Sequence, residues 1–511
     1  MSKYDRGFDS LFGGTAIVFV GFATQLGVTF LVRVLFARYL SVEAFGLIAL
    51  FIATINTVGL VSVAGLDVGI GRYLPRFEVG SEKREDVVRS AVEVAVPLSI
   101  GAAISLYLAA DWITEELAYG PELRALFIVA AIGTPFFGLK RLAIGAAQGQ
   151  EQTLPKVLIE NLLAPVAQLV FTVLAVAYGF QLLGFAWAYA SGFVLAGIIG
   201  TFYLLRRTPF QIVRRGSMHR QLAVFSGPLV VTNIMLSLMG GYLDTFFLGY
   251  LDTAASVGTY NTVYPLSQLT MIFLTSFSFL LLPAVSHLDA EAKFGRANRL
   301  MEVTTKWVFF LTLPVFFLMF YFPEQTIALT FGAKYTSGAL ALSLLVFGFL
   351  VHAGFAVAGK GLVAVGETRL VMIDTVVAAV LNIALNIVLI PRYGFFGAAL
   401  ASVISYWVLD ALYLYQLRRH TGIFPVSSDL LRVVAITVPA TAFVCGGFGR
   451  MVVDTIVGVG AVVTVATLLH LVIVIRYGGL SEEELEVITK AEQASGRDLS
   501  PVRRTVRALR R

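Results

Sequence analysis

Between residues 12 and 476 the chain is a succession of apolar runs, each about 20 residues long and nearly free of charge, joined by short polar corners. Few folds accept this pattern. A helix of about 20 residues crosses the ~30 Å hydrocarbon core of a bilayer, and lipid offers no partner to an unsatisfied backbone N–H or C=O. Such runs are therefore membrane-spanning helices. Only 14% of the residues are charged, against about a quarter in a soluble domain. The expected fold class is all-α, a polytopic membrane protein with fourteen spans at 12–38, 45–70, 91–111, 122–146, 157–178, 182–205, 222–249, 256–284, 304–323, 337–360, 368–390, 395–417, 431–451 and 453–476. The opening "MSKYDRGFDS" is polar, lacks a signal-peptide core and cleavage site, and reads as retained. Cys445, the single cysteine, lies in an apolar run; it has no intrachain partner and reads as a small packing residue.

The charges orient the bundle. With the N-terminus in the cytoplasm, all but six of the 38 Lys and Arg fall on the inner side, including "RRTPFQIVRRGSMHR" (Arg206 to Arg220) and "RRHTG" (Arg418 to Gly422). The outer corners are short, and "DWITEELAYGPE" (Asp111 to Glu122) is acidic. This is the positive-inside asymmetry of a multi-pass cell-membrane protein with both termini cytoplasmic, and an odd span count breaks it in the second half. The net charge of +6 is thus an orientation signal and not a nucleic-acid footprint.

The chain also repeats itself. Tyr39-Leu40 returns as Tyr250-Leu251, "YGPEL" (Tyr119 to Leu123) as "FGAKY" (Phe331 to Tyr335), and "IEN" (Ile159 to Asn161) as "IDT" (Ile373 to Thr375). "YGF" (Tyr178 to Phe180) returns at Tyr393 to Phe395, and "LRR" (Leu205 to Arg207) at Leu417 to Arg419. Five matches in one order at nearly constant offset mark two copies of a six-helix unit. Six is even, so the copies are parallel and related about an axis along the membrane normal, an arrangement of transporters. The expected organisation is an N-lobe at 1–206, a C-lobe at 222–417, an added helix pair at 431–476 and a cytoplasmic tail at 477–511.

A 6+6+2 plan resembles the polysaccharide-transporter branch of the multidrug/oligosaccharidyl-lipid/polysaccharide exporter superfamily, which includes the O-antigen flippases. The residues carrying the resemblance are "ARYLSVEAFGLIAL" (Ala37 to Leu50), "FGAKYTSGALAL" (Phe331 to Leu342) and "LNIALNIVLIPRYGFFGAALAS" (Leu381 to Ser402), the last being the most specific. The resemblance covers nearly all of the chain before the tail. It implies a V-shaped pair of lobes that moves a lipid-linked sugar from the inner to the outer leaflet by alternating access. The partners it implies are the lipid-linked glycan and a coupling ion, proton or sodium.

A polyprenyl carrier keeps its tail in lipid, but its phosphate and glycan need a hydrated, partly cationic cavity to cross. Charges inside spans are therefore the candidate site. Lys140 and Arg141 lie about two turns above the inner end of the fourth span; snorkelling to the interface competes with substrate binding for each. Arg72 ends the second span, as an inner anchor or a further cationic contact. Arg33 in the first span and Asp244 in the seventh are repeat equivalents of opposite charge. They fit an outer latch, a phosphate contact by Arg33 on the family's pattern, or separate snorkelling. Glu160 and Asp374 are equivalent acids that suit a coupling proton or plain interfacial duty, and His352 is the titratable equivalent of Lys140. Asp67, Glu93 and Asp410 are further intramembrane acids, while Asn233, Asn382 and Asn386 read as bonds to neighbouring helices. Prolines 97, 135, 165, 228, 265, 314 and 439 permit bending.

In the tail, Ser481 and Glu484 form a capping box closed by Gly496, and "SPVRRTVRALRR" reads as a basic amphipathic helix for the anionic inner leaflet or as a solvated tail. A membrane glycosyltransferase needs larger outer loops or a soluble domain. "GFAVAGKG" (Gly354 to Gly361) misses the Ser/Thr of a phosphate-binding loop and lies within a span. The five histidines are scattered, so neither metal nor cofactor is expected. A cation-coupled drug antiporter of the same superfamily is the nearer rival, and a non-transporting assembly scaffold the third.

Overall fold

The computed structural model describes residues 3–207, 216–448 and 456–477, and every regular element among them is helical. The helices are α1 (Lys3–Tyr39), α2 (Val42–Val63), α3 (Leu66–Tyr73), α4 (Glu82–Leu117), α5 (Pro121–Gly149), α6 (Thr153–Ala177), α7 (Leu182–Arg207), α8 (His219–Ser237) and α9 (Leu243–Leu251). They continue as α10 (Ala254–Ser278), α11 (Leu281–Ala290), α12 (Phe294–Tyr321), α13 (Pro323–Thr330), α14 (Ala333–Ala364), α15 (Thr368–Thr421), α16 (Ser428–Gly447) and α17 (Ile456–Tyr477).

Twelve stretches are long and apolar enough to cross a membrane, and the bent pair α10 and α11 makes a thirteenth. At 1.5 Å per residue, the 54 residues of α15 measure about 80 Å, more than twice the hydrocarbon thickness. Gly394, at φ 55° and ψ −137°, breaks α15 where the sequence places a corner. Two crossings there bring the count to the fourteen expected. The tail helices expected beyond residue 477 and the "GRMVVD" corner lie outside the described residues.

The contacts divide the chain into two units. Unit 1 holds Met1–Thr262, Thr330–Tyr335 and Ile383–Ala398; unit 2 holds Val263–Leu329, Thr336–Asn382 and Ala399–Arg511. In unit 1, α5 is the hub, packed against α2, α3, α4 and α7. Lipid tails are as apolar as leucine, so helices associate there through close packing of small residues rather than by escaping water. Gly197 of α7 shows this: a Cβ on it would lie 2.6 Å from Phe136 O of α5. In unit 2, α12 packs on α14, and α17 reaches α12 through His470 Nε2, 3.0 Å from Phe310 O.

One end of unit 1 is drawn together around two glycines. A Cβ on Gly46 of α2 would lie 1.8 Å from Ala254 O, and one on Gly258 of α10 would lie 2.2 Å from Val42 O. Gly46 and Gly258 stand 212 positions apart, as do Val42 and Ala254, so the contact is the same on both sides of the crossing. The repeated corners tie around it. Arg38 Nε donates to Thr330 O at 2.8 Å and Tyr335 OH to Ala37 O at 3.1 Å, while Lys334 Nζ donates to Leu40 O. Tyr119 OH donates to Asp252 O at 3.3 Å. Burial, then the nearby Asp252 carboxylate, push the Tyr119 phenol up to about 12, so it remains a donor throughout the physiological range.

Candidate functional site

The close approach of α3 to α5 sets the first charged contact. A Cβ on Gly145 would lie 2.3 Å from Asp67 O, and Arg141, one turn earlier on the same face of α5, pairs with the Asp67 carboxylate. Asp67 is buried, the Arg141 side chain is 26% exposed, and Arg141 Nε has no hydrogen-bond partner. Asp67→Asn is expected to lower stability by about 1–3 kcal/mol, because the arginine loses its counter-charge. Adding Arg141→Met should recover most of that loss. Thermal unfolding of the purified variants in one detergent checks both.

Lys140 is held differently. It is 9% exposed, and its ammonium lies 5.2 Å from the centroid of Phe193 and 5.9 Å from that of Phe137. Phe193 is brought over it by the glycine packing of α7 on α5. Arg141 and Glu160 lie within electrostatic range. Glu160 sits in a π-turn, Leu158–Leu163, that interrupts α6, and its carboxylate is 4.0 Å from Lys156 Nζ. Such one-residue insertions re-aim side chains and often mark functional sites. From the same turn Asn161 donates to Gln25 of α1.

Arg33 is half-buried within electrostatic range of Tyr189 and Tyr242. Asp244 is 1% exposed at the first turn of α9, just after Gly240 and Gly241 break the chain, Gly241 at φ 104°. Tyr260 OH donates to one of its oxygens, and Asn386 Nδ2 donates to the other at 2.7 Å. No ion pair joins Arg33 to Asp244 among the described residues. Arg72 is exposed, its guanidinium stacked 4.0 Å from the Phe225 centroid, so the two ends of unit 1 hold Arg72 and Arg33 in separate surroundings.

Unit 2 carries a buried polar row. His352 Nδ1 lies 2.8 Å and 3.0 Å from the two oxygens of Asp410, and its ring centroid is 4.4 Å from that of Tyr406. Farther along, Tyr413 OH meets Thr375 Oγ1 at 3.0 Å, and Asp374, 2% exposed, faces Gln416 with Oδ2 unpartnered. The sequence flagged His352, Asp374 and Asp410 singly. It missed their grouping, although Tyr406, Asp410 and Tyr413 recur on one face of an otherwise apolar helix.

The frames around Lys140 and His352 correspond. Phe137, Lys140 and Phe193 of unit 1 match Phe349, His352 and Tyr406 of unit 2 at offsets of 212, 212 and 213. Phe349 and Tyr406 meet edge-on at 5.3 Å, and Phe137 and Phe193 meet tilted at 5.2 Å. The corner glycines and these two frames repeat at offsets of 212 or 213 along the chain.

Comparison with known proteins places this arrangement. Residues 11–289 match the family model described as polysaccharide biosynthesis protein, and residues 228–388 match MatE. The probable low-salt glycan biosynthesis flippase Agl15 of Haloferax volcanii is 26% identical over 37% of this chain, a match spanning only 41% of that relative. A putative O-antigen transporter of Shigella flexneri is 23% identical over 75% of this chain and 91% of its own length. Among solved structures, the lipid II flippase MurJ in an inward closed conformation superposes with a TM-score of 0.71 and 16% identity, covering 91% of this chain and 98% of that one.

Proposed function

The chain belongs to the polysaccharide biosynthesis protein family, the polysaccharide-transporter branch of the multidrug/oligosaccharidyl-lipid/polysaccharide exporter superfamily, and on that premise we propose that it flips a lipid-linked oligosaccharide. The substrate is a polyprenyl phosphate or pyrophosphate glycan, carried from the inner to the outer leaflet of the cell membrane by alternating access between an N-lobe at 1–206 and a C-lobe at 222–417. Both termini are cytoplasmic, the pair at 431–476 stands outside the repeat, and the basic tail rests on the inner leaflet. The protein acts as a transporter and not as an enzyme.

Lys140 carries this reading. A charge buried in a bundle is costly unless neutralised, and among the described residues the ammonium has two phenyl rings around it and no carboxylate within ion-pair distance, Glu160 lying farther off. An anionic head group supplies the missing charge. Arg141, and Arg72 nearer the cytoplasm, extend the cationic path, and Arg33 receives the phosphate toward the outer side. Asp244, Glu160, Asp374 and His352 serve gating or ion coupling, Asp244 at the break before α9. The MatE match over 228–388 and the buried acids Asp244, Asp374 and Asp410 favour the alternative, a cation-coupled antiporter for a small molecule.

Leaflet accessibility of endogenous sugar lipids in spheroplasts separates the two. Deleting the protein should leave them on the cytoplasmic face alone, and the wild type should restore the outer pool. An unchanged distribution in a strain with no second flippase would move the antiporter to first place.

A further inference from the structure

We propose that His352 and Asp410 form a proton-binding site in unit 2, taking one proton on His352 Nε2, with Tyr413 and Asp374 as the next titratable groups beyond Asp410. The inference rests on the flippase reading for its role in transport, but the site itself does not depend on that reading.

The geometry suits a single exchangeable proton. In the unloaded state a neutral imidazole donates its Nδ1–H to the Asp410 carboxylate. In the loaded state Nε2 carries the added proton, and an imidazolium pairs with the same carboxylate through the same Nδ1–H. The pair moves between one negative charge and none, and no bond other than N–H forms or breaks. His352 is 7% exposed and Asp410 2%, so the change of charge is felt at low dielectric. The Tyr406 ring, 4.4 Å away, favours the loaded cation through its face.

Tyr406 reaches the α10 side through Tyr264, whose hydroxyl lies 3.4 Å from its own. Tyr413 is within electrostatic range of both Asp410 and Asp374 and bonds Thr375 at 3.0 Å. Asp374 keeps an unpartnered, buried Oδ2. From α12, Phe309 packs against Phe355, and Lys306, three residues before Phe309, is buried with contacts of its own.

The contrast with unit 1 gives the arrangement a purpose. Where unit 2 has His352 and Asp410, offsets of 212 and 213 put Lys140 and Gly197 in unit 1. Unit 1 thereby holds a lysine suited to an anion, and unit 2 an exchangeable charge suited to a driving ion.

Imidazole 15N NMR of the purified full chain, with His352→Gln to assign the signal among five histidines, tests the site. Scanned from about pH 5 to 8, the His352 Nε2 signal should report the gain of one proton in a single step, and Asp410→Asn should abolish or displace that step. A resonance fixed in one state over the range, or one titrating unchanged in Asp410→Asn, overturns the proposal. The second arm follows polyprenyl pyrophosphate-linked N-acetylglucosamine in proteoliposomes with and without a pH gradient. Stimulation by the gradient in wild type, lost in His352→Gln and Asp410→Asn, supports coupling. Equal stimulation in the variants overturns it. Titration without any glycolipid movement leaves the proton site standing and rejects the flippase reading instead.

Discussion

Replacing Gly46 by leucine is expected to abolish transport while leaving the spans inserted in the membrane. A Cβ at that position falls 1.8 Å from Ala254 O and 2.7 Å from its carbonyl carbon, and both obstacles are backbone. Neither can rotate aside as a flexible side chain could, so α2 and α10 must separate. Separation strains the four side-chain-to-carbonyl bonds from Arg38, Tyr335, Lys334 and Tyr119. Each contributes about 0.5–3 kcal/mol, the charged pair more than the neutral pair. Together they approach the ~5.5 kcal/mol that carries a two-state equilibrium from 99:1 to 1:99. A transporter that cannot close one mouth cannot alternate. A cysteine at Leu40, 8% exposed, is the reporter in a Cys445→Ala background. It should resist a membrane-impermeant maleimide in the parent and react readily once Gly46→Leu is added. Gly258→Leu should reproduce the effect, because its Cβ meets Val42 O at 2.2 Å. A Leu40→Cys that stays unreactive, with transport intact, would show that this crossing is not a gate.

The glycine pair also shows what the sequence could and could not disclose. Its corners, "FARYLSVEAFG" and "FLGYLDTAASVG", are visible as a repeat because the chain writes them twice at one offset. The spans are visible because about 20 apolar residues report a favourable transfer into lipid, a property of each segment alone. Pairings between helices are another matter. His352 meets Asp410 across 58 positions, and Asp244 meets Asn386 across 142. Which faces meet depends on helix rotation and tilt, set by small residues such as Gly145 and Gly197 whose contacts leave no periodic trace. Asn386 was legible as a residue seeking another helix, but its partner was not. The π-turn at Leu158–Leu163 and the break at Gly241 were likewise hidden, since a helix with one extra residue has the same hydropathy as one without.

Lys140→Met is expected to remove transport without lowering stability, and that combination is the stronger test of the cationic site. If Lys140 were a structural group, its loss would destabilise the fold. The surroundings argue otherwise. The ammonium gains about 2 kcal/mol at most from rings at 5.2 and 5.9 Å, while burying an ion costs several kcal/mol even after relaxation. A methionine of similar length keeps the packing against Phe137 and Phe193 and removes the charge, so the unfolding temperature should hold or rise. Binding should suffer greatly. Truncating one partner of a buried charge pair costs about 2–5 kcal/mol, which converts to roughly a hundredfold loss of affinity or more. Arg141→Met gives the opposite balance on stability, because it leaves the buried Asp67 carboxylate unpaired. Thermal unfolding and glycolipid binding measured on both variants therefore separate the residues that hold the bundle from the one held ready for an anion. A Lys140→Met protein that unfolds earlier yet binds normally would assign the lysine to the scaffold and leave Arg33 and Arg72 to carry the phosphate.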